Sequence, residues 1–167
     1  KVLDPACGSG AFLIQVFDYL SAEGERVNDE LARLSLGLRS TDDLSRNILT
    51  NNIFGVDINA ESVEISKLSL WLKTANIHSE LNSLDQNIRC GNSLIDDPAV
   101  AGDLAFDWKT EFAEIFDKKG GFDVVVGNPP YVPASSISQK EKDYYYKRYY
   151  STEYQSNTYG LFVEMGI

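Results

Sequence analysis

Asn128, Pro129, Pro130 and Tyr131 place an amide acceptor, a backbone carbonyl and an aromatic face within one stiff turn. A proline nitrogen carries no hydrogen and holds φ at about −65°, so the carbonyl of Pro129 has no neighbouring N–H to screen it. Together with the side-chain oxygen of Asn128 it can accept both hydrogens of an NH₂ group, and Tyr131 can stack on the ring that bears the amine. That is the chemistry of gripping an aromatic amine. The same tetrapeptide also has a plain reading, a Pro-Pro loop after the apolar run 122–126 and Gly127, so its surroundings decide its meaning.

Three further strand-end loops accompany it. Residues 1–3 end a strand at Asp4 and Pro5, Gly8 and Gly10 make a tight turn, and Phe12, Leu13, Val16, Phe17 and Leu20 then recur at helical spacing. Glycines in such a turn let backbone approach a ligand, and the helix N-terminus presents free N–H groups. Leu13 stands where a dinucleotide fingerprint has its third glycine, which disfavours a pyrophosphate cradle. A second strand, 53–57, ends in Asp57 and feeds a helix over 60–75 that Asn59 is placed to cap. A carboxylate at this strand end can take two hydrogen bonds from ribose hydroxyls, the structural alternative being an acid that serves the helix dipole. A third strand, 87–90, runs into Gly91-Asn92-Ser93-Leu94, which is turn chemistry when taken alone. The fourth strand is 122–126. Strands alternating with helices predict an α/β fold, its four strands parallel in the spatial order 3-2-1-4.

Four motifs in this order resemble those of the S-adenosylmethionine-dependent adenine-N6 DNA methyltransferases: Asp4-Pro5-Ala6-Cys7-Gly8-Ser9-Gly10-Ala11-Phe12-Leu13, Gly55-Val56-Asp57-Ile58-Asn59, Cys90-Gly91-Asn92-Ser93-Leu94 and Gly127-Asn128-Pro129-Pro130-Tyr131-Val132. The glycine turn ahead of Asn-Pro-Pro-Tyr is the order of the gamma group. Residues 63–72, with Leu70-Trp71-Leu72, resemble the methylase part of fused type IIG restriction-modification enzymes and related phage-defence methylases. Residues 159–166 resemble the helical motif that follows in that family. The resemblance spans nearly the whole chain and implies a Rossmann-like class I methyltransferase fold, partial in the piece present. It implies that Asp4, Cys7, Gly8 and Gly10 line the methionine part of S-adenosylmethionine, with Asp4 reaching its ammonium directly or through water. Asp57 would hold the ribose hydroxyls and Ile58 would pack on the adenine ring. Asn92, where the family more often has Asp, would meet the adenine amino group through its amide oxygen. Phe162 is a candidate wall of that pocket, with plain helical core as an equal alternative. Asn128, Pro129, Pro130 and Tyr131 become the catalytic residues, acting on an adenine flipped out of double-stranded DNA and stacked on Tyr131.

Composition bounds the rest. One sizeable core fits 167 residues with 43% apolar content. The 25 acidic residues against 15 basic ones, a net charge of −10, oppose phosphate binding. Groove-reading surfaces are therefore expected outside these residues. The chain starts on a strand and stops within an apparent helix, which fits a fragment of a catalytic domain: cofactor motifs over 1–94, the catalytic loop and the start of the next helix over 122–167, and no target-recognition domain. The resemblance leaves open a nuclease and a target-recognition domain fused to it. Cys7 and Cys90 lack metal-ligand spacing, and no signal peptide or membrane-length apolar run is present. They read as reduced thiols in a cytoplasmic protein with no metal and no membrane partner, and the resemblance implies a bacterial or archaeal one. His78 reads as a surface residue.

Two segments interrupt the alternation. Residues 23–52 are long for a connection; they hold Leu31, Leu34, Leu36 and Leu38, then Ser40 and Asp43 placed to cap a helix carrying Leu44, Ile48 and Leu49. Residues 135–157 carry Tyr144, Tyr145, Tyr146, Tyr149, Tyr150 and Tyr154 among Lys140, Lys142, Lys147 and Arg148. Stacking on displaced bases and packing of an amphipathic helix are equal readings of that stretch, and in either a mobile lid is expected. Two other functions stay open. A protein glutamine-N5 methyltransferase shares Asn-Pro-Pro-Tyr because an amide nitrogen poses the same problem, although Pro5-Ala6-Cys7 and Leu70-Trp71-Leu72 speak for the DNA enzymes. Outside enzymes, the alternative is a non-catalytic cofactor-binding scaffold in a defence complex.

Overall fold

The computed structural model describes residues 1–34, 44–74, 83–154 and 157–166. Leu36, Leu38, Ser40, Asp43, Ala75 and His78 lie outside the described residues. Strands β1 (Val2–Asp4), β2 (Ile53–Asp57), β3 (Ile88–Cys90) and β4 (Val124–Val125) form one parallel sheet in the order β3-β2-β1-β4, as expected from the sequence. Asp4 pairs with Gly55, Asp57 with Cys90, and Leu3 with Val125. Because the strands run one way, the four loops that carry the motifs leave the sheet along its carboxyl edge, where open α/β sheets hold ligands.

Helices α1 (Ala11–Leu34), α2 (Leu44–Asn51) and α3 (Ala60–Thr74) cover one face of the sheet. Their apolar stripes bury Leu13, Phe17, Ile48, Leu49, Val63 and Leu70 against Ile53 and Ile88. The short helices α4 (Pro98–Ala101), α5 (Trp108–Glu111) and α6 (Ala113–Lys119) follow β3. Phe112 and Ile115 of this region pack with Phe106 on Leu3, Phe54 and Val56 of the opposite face. Phe54 meets the Phe112 ring edge-on at 5.7 Å and Phe122 at 5.5 Å. A sheet covered on both faces calls for apolar residues at consecutive strand positions, and Ile53-Phe54 supplies them to opposite clusters. A third cluster of Leu94, Ile95, Tyr145 and Leu161 binds α7 (Gln139–Arg148) and α8 (Tyr159–Met165) to the loop after β3.

Three elements differ from their sequence-based bounds. Helix α1 continues past Leu20 to Leu34, taking in part of the segment read as a connection. Pairs Glu23–Arg26 and Glu30–Arg33 at i,i+3 support the extension. Gly24 lies inside it because a Cβ there would come within 2.8 Å of the Leu44 side chain. Asn87 precedes β3, since its buried amide is used as a donor to the carbonyls of Leu49, Thr50 and Ile53 at 2.9–3.1 Å. Strand β4 is two residues long, because Phe122 turns into the aromatic cluster ahead of it. Val124 and Val125 stay 51% and 40% exposed on the sheet edge.

Candidate functional site

The glycine turn is fastened to β2 and α3. Cys7 N donates to the Val56 carbonyl at 3.0 Å and Gly8 N to Asp57 Oδ2 at 2.8 Å. Gly8 and Gly10 have φ of +52° and +88°, the left-handed region that glycine enters without strain. At Gly10 a Cβ would also come within 2.5 Å of Ser66 Oγ, so the turn sits directly on α3. Asp57 Oδ1 accepts from Asn59 N at 2.9 Å, while Asn59 Oδ1 accepts from Ser62 N at 3.0 Å. Asn59 is thus the cap of α3, as its position suggested, and Asp57 is left at the strand end with one N–H on each oxygen. Each carboxylate oxygen keeps acceptor capacity for a ligand.

Asp4 lies beneath this turn rather than on its surface. The side chain is 1% exposed, accepts from Ala6 N at 3.0 Å, and sits where a Cβ on Gly127 would fall, 2.5 Å from Oδ1. Burial, with the Asp57 charge adding to it, pushes the Asp4 carboxyl up to about 6. The buried Cys7 thiol is pushed up to about 12 by burial and by the charges of Asp4 and Asp57, so it stays protonated at neutral pH. Cys90 is exposed.

The loop after β3 is braced at both ends. Asn92 N donates to the Leu104 carbonyl at 2.7 Å and Asn92 Oδ1 accepts from Leu94 N at 3.1 Å. The buried Ser93 hydroxyl donates to the Pro5 carbonyl, and Trp108 Nε1 donates to the Ser93 carbonyl at 2.9 Å. Ser93 therefore ties the third motif to the first, a role a serine inside a turn does not advertise in sequence.

Asn128, Pro130 and Tyr131 are exposed at the end of β4. Among the described residues nothing donates to Asn128 Oδ1 or to the Pro129 carbonyl, which leaves both acceptors open. Thr158 Oγ1 donates to the Pro130 carbonyl at 2.6 Å, and the Tyr131 ring lies parallel to that of Tyr159 at 5.3 Å. Thr158 and Tyr159 escape a sequence reading, because a threonine before a helix reads as its cap. Here the hydroxyl makes no capping bond.

A cavity of about 440 Å³ joins the two halves of the site. Asp57, Ile58, Asn92, Asn128, Pro130 and Phe162 of the expected set line it, together with Pro5, Thr158, Glu141 and Tyr145. Asp4, Cys7, Gly8, Gly10, Pro129 and Tyr131 lie outside its wall. A larger cleft of about 680 Å³, walled by Trp108, Phe116, Phe122, Val125 and Met165, contains none of the expected site residues. We place the site at the smaller one because it holds the open polar groups.

In the tyrosine-rich segment three tyrosines take the packing reading. Tyr145 is buried, Tyr144 donates to Asp96 at 2.7 Å and Tyr149 to the Leu94 carbonyl at 2.8 Å, so these three fasten α7 to the body. A capping box of Ser138 and Glu141 starts that helix. Tyr146 and Tyr150, 64% and 92% exposed, face outward. Among the described residues no group of His, Cys, Asp and Glu could hold a metal, and no helix is long and apolar enough to cross a membrane.

Residues 51–167 match the family model of the Eco57I restriction-modification methylase. Over 188 aligned residues, covering 100% of this chain and 18% of that protein, the chain is 33% identical to the type II restriction enzyme and methyltransferase RM.Eco57I of Escherichia coli. It is 28% identical over 177 residues, 90% of this chain and 13% of the other, to the adenine-specific methyltransferase PglX of Streptomyces coelicolor. A 72-residue stretch, 43% of this chain and 5% of the other, is 40% identical to the adenine-specific methyltransferase BrxX of Escherichia coli O9:H4. The chain spans about a fifth or less of the length of these relatives. A glycine turn, a strand-end carboxylate and an Asn-Pro-Pro-Tyr turn gathered at one sheet edge, in a sequence matched over most of its length, place the chain in the Eco57I restriction-modification methylase family.

Proposed function

We propose that this chain is the cofactor-binding and catalytic part of an S-adenosylmethionine-dependent DNA methyltransferase. The reaction methylates the N6 amino group of adenine within a restriction-modification or phage-defence system. The observation that carries the reading is a single cavity lined by both Asp57 and Asn128. The names of PglX and BrxX as adenine-specific enzymes support the target base.

The residues present fit this cofactor. Asp57 offers acceptors for a ribose diol, Ile58 and Phe162 offer apolar surface to an adenine ring, and the Asn92 amide offers polar recognition of its edge. Beside Asp57 the turn leaves open space at Gly8, where a Cβ would meet nothing within 4 Å, for the methionine end, and the buried Asp4 supplies negative potential beneath it for an ammonium group. Bound there, S-adenosylmethionine supplies an electrophilic methyl group.

The chain's own residues prepare the amine. Its lone pair is delocalised into the ring, so the nitrogen is a poor nucleophile while planar. Asn128 Oδ1 and the Pro129 carbonyl accept its two hydrogens and favour the tetrahedral geometry in which the lone pair is available, a stabilisation that grows toward the transition state. Positioning supplies the rest, and no strong base is needed, because the nitrogen proton becomes acidic as the new bond forms. An adenine inside a duplex cannot reach such a turn, so the base is flipped out and held on the exposed face of Tyr131. Duplex DNA in a bacterial or archaeal cytoplasm is then the partner.

Methylation of DNA by the full-length protein, followed by digestion to nucleosides, tests the reading. N6-methyl-2′-deoxyadenosine is the expected product. N4-methylcytosine, or methylated glutamine in protein with unmodified DNA, would replace it.

A further inference from the structure

We infer that Thr158 and Tyr159 are positioning residues that hold the catalytic turn and the Tyr131 ring in the geometry that receives the target base. The inference rests on the reading of Asn-Pro-Pro-Tyr given above. The turn has few handles of its own, since Pro129 and Pro130 contribute no N–H. Its last tie to the sheet is Val126 N, which donates to the Leu3 carbonyl at 2.8 Å. Beyond it, among the described residues, the hydrogen bonds that hold residues 127–132 are three, and Thr158 makes all of them. Its hydroxyl donates to the Pro130 carbonyl at 2.6 Å and accepts from Val132 N at 3.2 Å, while its N–H donates to the Val132 carbonyl at 3.0 Å. Thr158 is 5% exposed, so these bonds are shielded from water.

The pattern of what is bonded and what is not matters most. Engaging the Pro130 carbonyl fixes the peptide plane that follows the proline pair and leaves the carbonyl one residue earlier, at Pro129, without a donor. The acceptor needed for the amine is thereby kept open. Tyr159 acts on the ring in the same way. Its plane is 5° from that of Tyr131, an offset stack that occupies one face of Tyr131, while the ring as a whole remains 62% exposed. Tyr159 is itself set by its N–H, which donates to Asn157 Oδ1 at 3.0 Å, and Asn157 bridges to Pro133. A target base on the free face of Tyr131 would complete a three-layer stack backed by Tyr159.

The test uses the full-length protein with Thr158→Val, which keeps shape and removes the hydroxyl, Thr158→Ser, which restores it, and Tyr159→Leu. Three quantities are read: single-turnover methyl transfer to duplex DNA at saturating reactants, affinity for S-adenosylmethionine, and hydrogen exchange at the Val132 amide. Thr158→Val should slow transfer by roughly tenfold or more, as misplacement of a reacting group does, and speed exchange at Val132, with cofactor affinity unchanged. Thr158→Ser should recover most of both. Tyr159→Leu should raise the KM for DNA more than it lowers the transfer rate. Wild-type transfer in Thr158→Val, unchanged exchange at Val132, or a parallel loss of rate and cofactor affinity that serine does not rescue overturns the inference. If Asn128→Ala methylates adenine as well as wild type, the reading of the turn fails, and exchange at Val132 still decides whether Thr158 holds it.

Discussion

Asp57 ties the glycine turn to the start of α3, each of its oxygens accepting a backbone N–H, from Gly8 and from Asn59, and in the proposed function it also receives the ribose hydroxyls. Asp57→Ala should therefore weaken binding of S-adenosylmethionine by about 2–4 kcal/mol, the loss of two charge-assisted hydrogen bonds, measured by calorimetry. Unchanged affinity would remove Asp57 from the site. Asn128→Ala should act on the other term: transfer slowed by roughly a hundredfold or more, with cofactor affinity nearly constant. Asp4 makes a pH-dependent contribution whose sign follows from its shift. Its carboxyl titrates at 3.8 when unperturbed and at about 6 here, so the folded protein holds the proton more tightly than the unfolded chain. The stability this contributes is fully present below 3.8 and lost as pH rises through about 6. Urea midpoints of the wild type should fall relative to Asp4→Asn across that window; parallel curves would show that Asp4 is not the buried group described. At this scale the sequence was legible in placement: Asp57 and Asn128 stand at strand ends and line one cavity, as the motif order suggested. It was silent where a residue serves another across the fold, as Ser93, Thr158 and Tyr159 do.

Elements were legible in proportion to their periodicity. Strand order and the first turn of α3 followed from alternation and from Asn59, whereas α4, α5 and α6 are four to seven residues long and show no readable period. Gly24 and the polar residues around it concealed the length of α1, because the reason for a glycine inside that helix is the Leu44 side chain on another helix. Asn87 shows what such cross-element contacts are worth. Its amide donates to three carbonyls between the end of α2 and the start of β2, in a site where water does not replace it. Asn87→Ala should destabilise the protein by about 2–3 kcal/mol, the cost of leaving buried acceptors without a donor. A melting temperature equal to that of the wild type would show that the carbonyls find other partners.

The whole molecule carries a charge of −10, and Arg148 in its basic stretch is paired with Asp96. Counterion release, the main source of non-specific DNA affinity, is therefore nearly absent. These 167 residues alone should not retain duplex DNA at about 150 mM salt in fluorescence anisotropy. Tight, sequence-selective retention would relocate the recognition surface to the tyrosine-rich stretch 135–157, where Lys140, Tyr146 and Lys147 of α7 and Tyr150 beyond it face outward. Strand β4 is bonded to β1 along one side and, among the described residues, to nothing along the other, and Val124 and Val125 are half exposed there. A bare parallel edge with two valines is a template on which another copy can add its own strand. Self-association of these residues through that edge is the expected consequence, and a lysine introduced at position 124, outside the cavity wall, should blunt it.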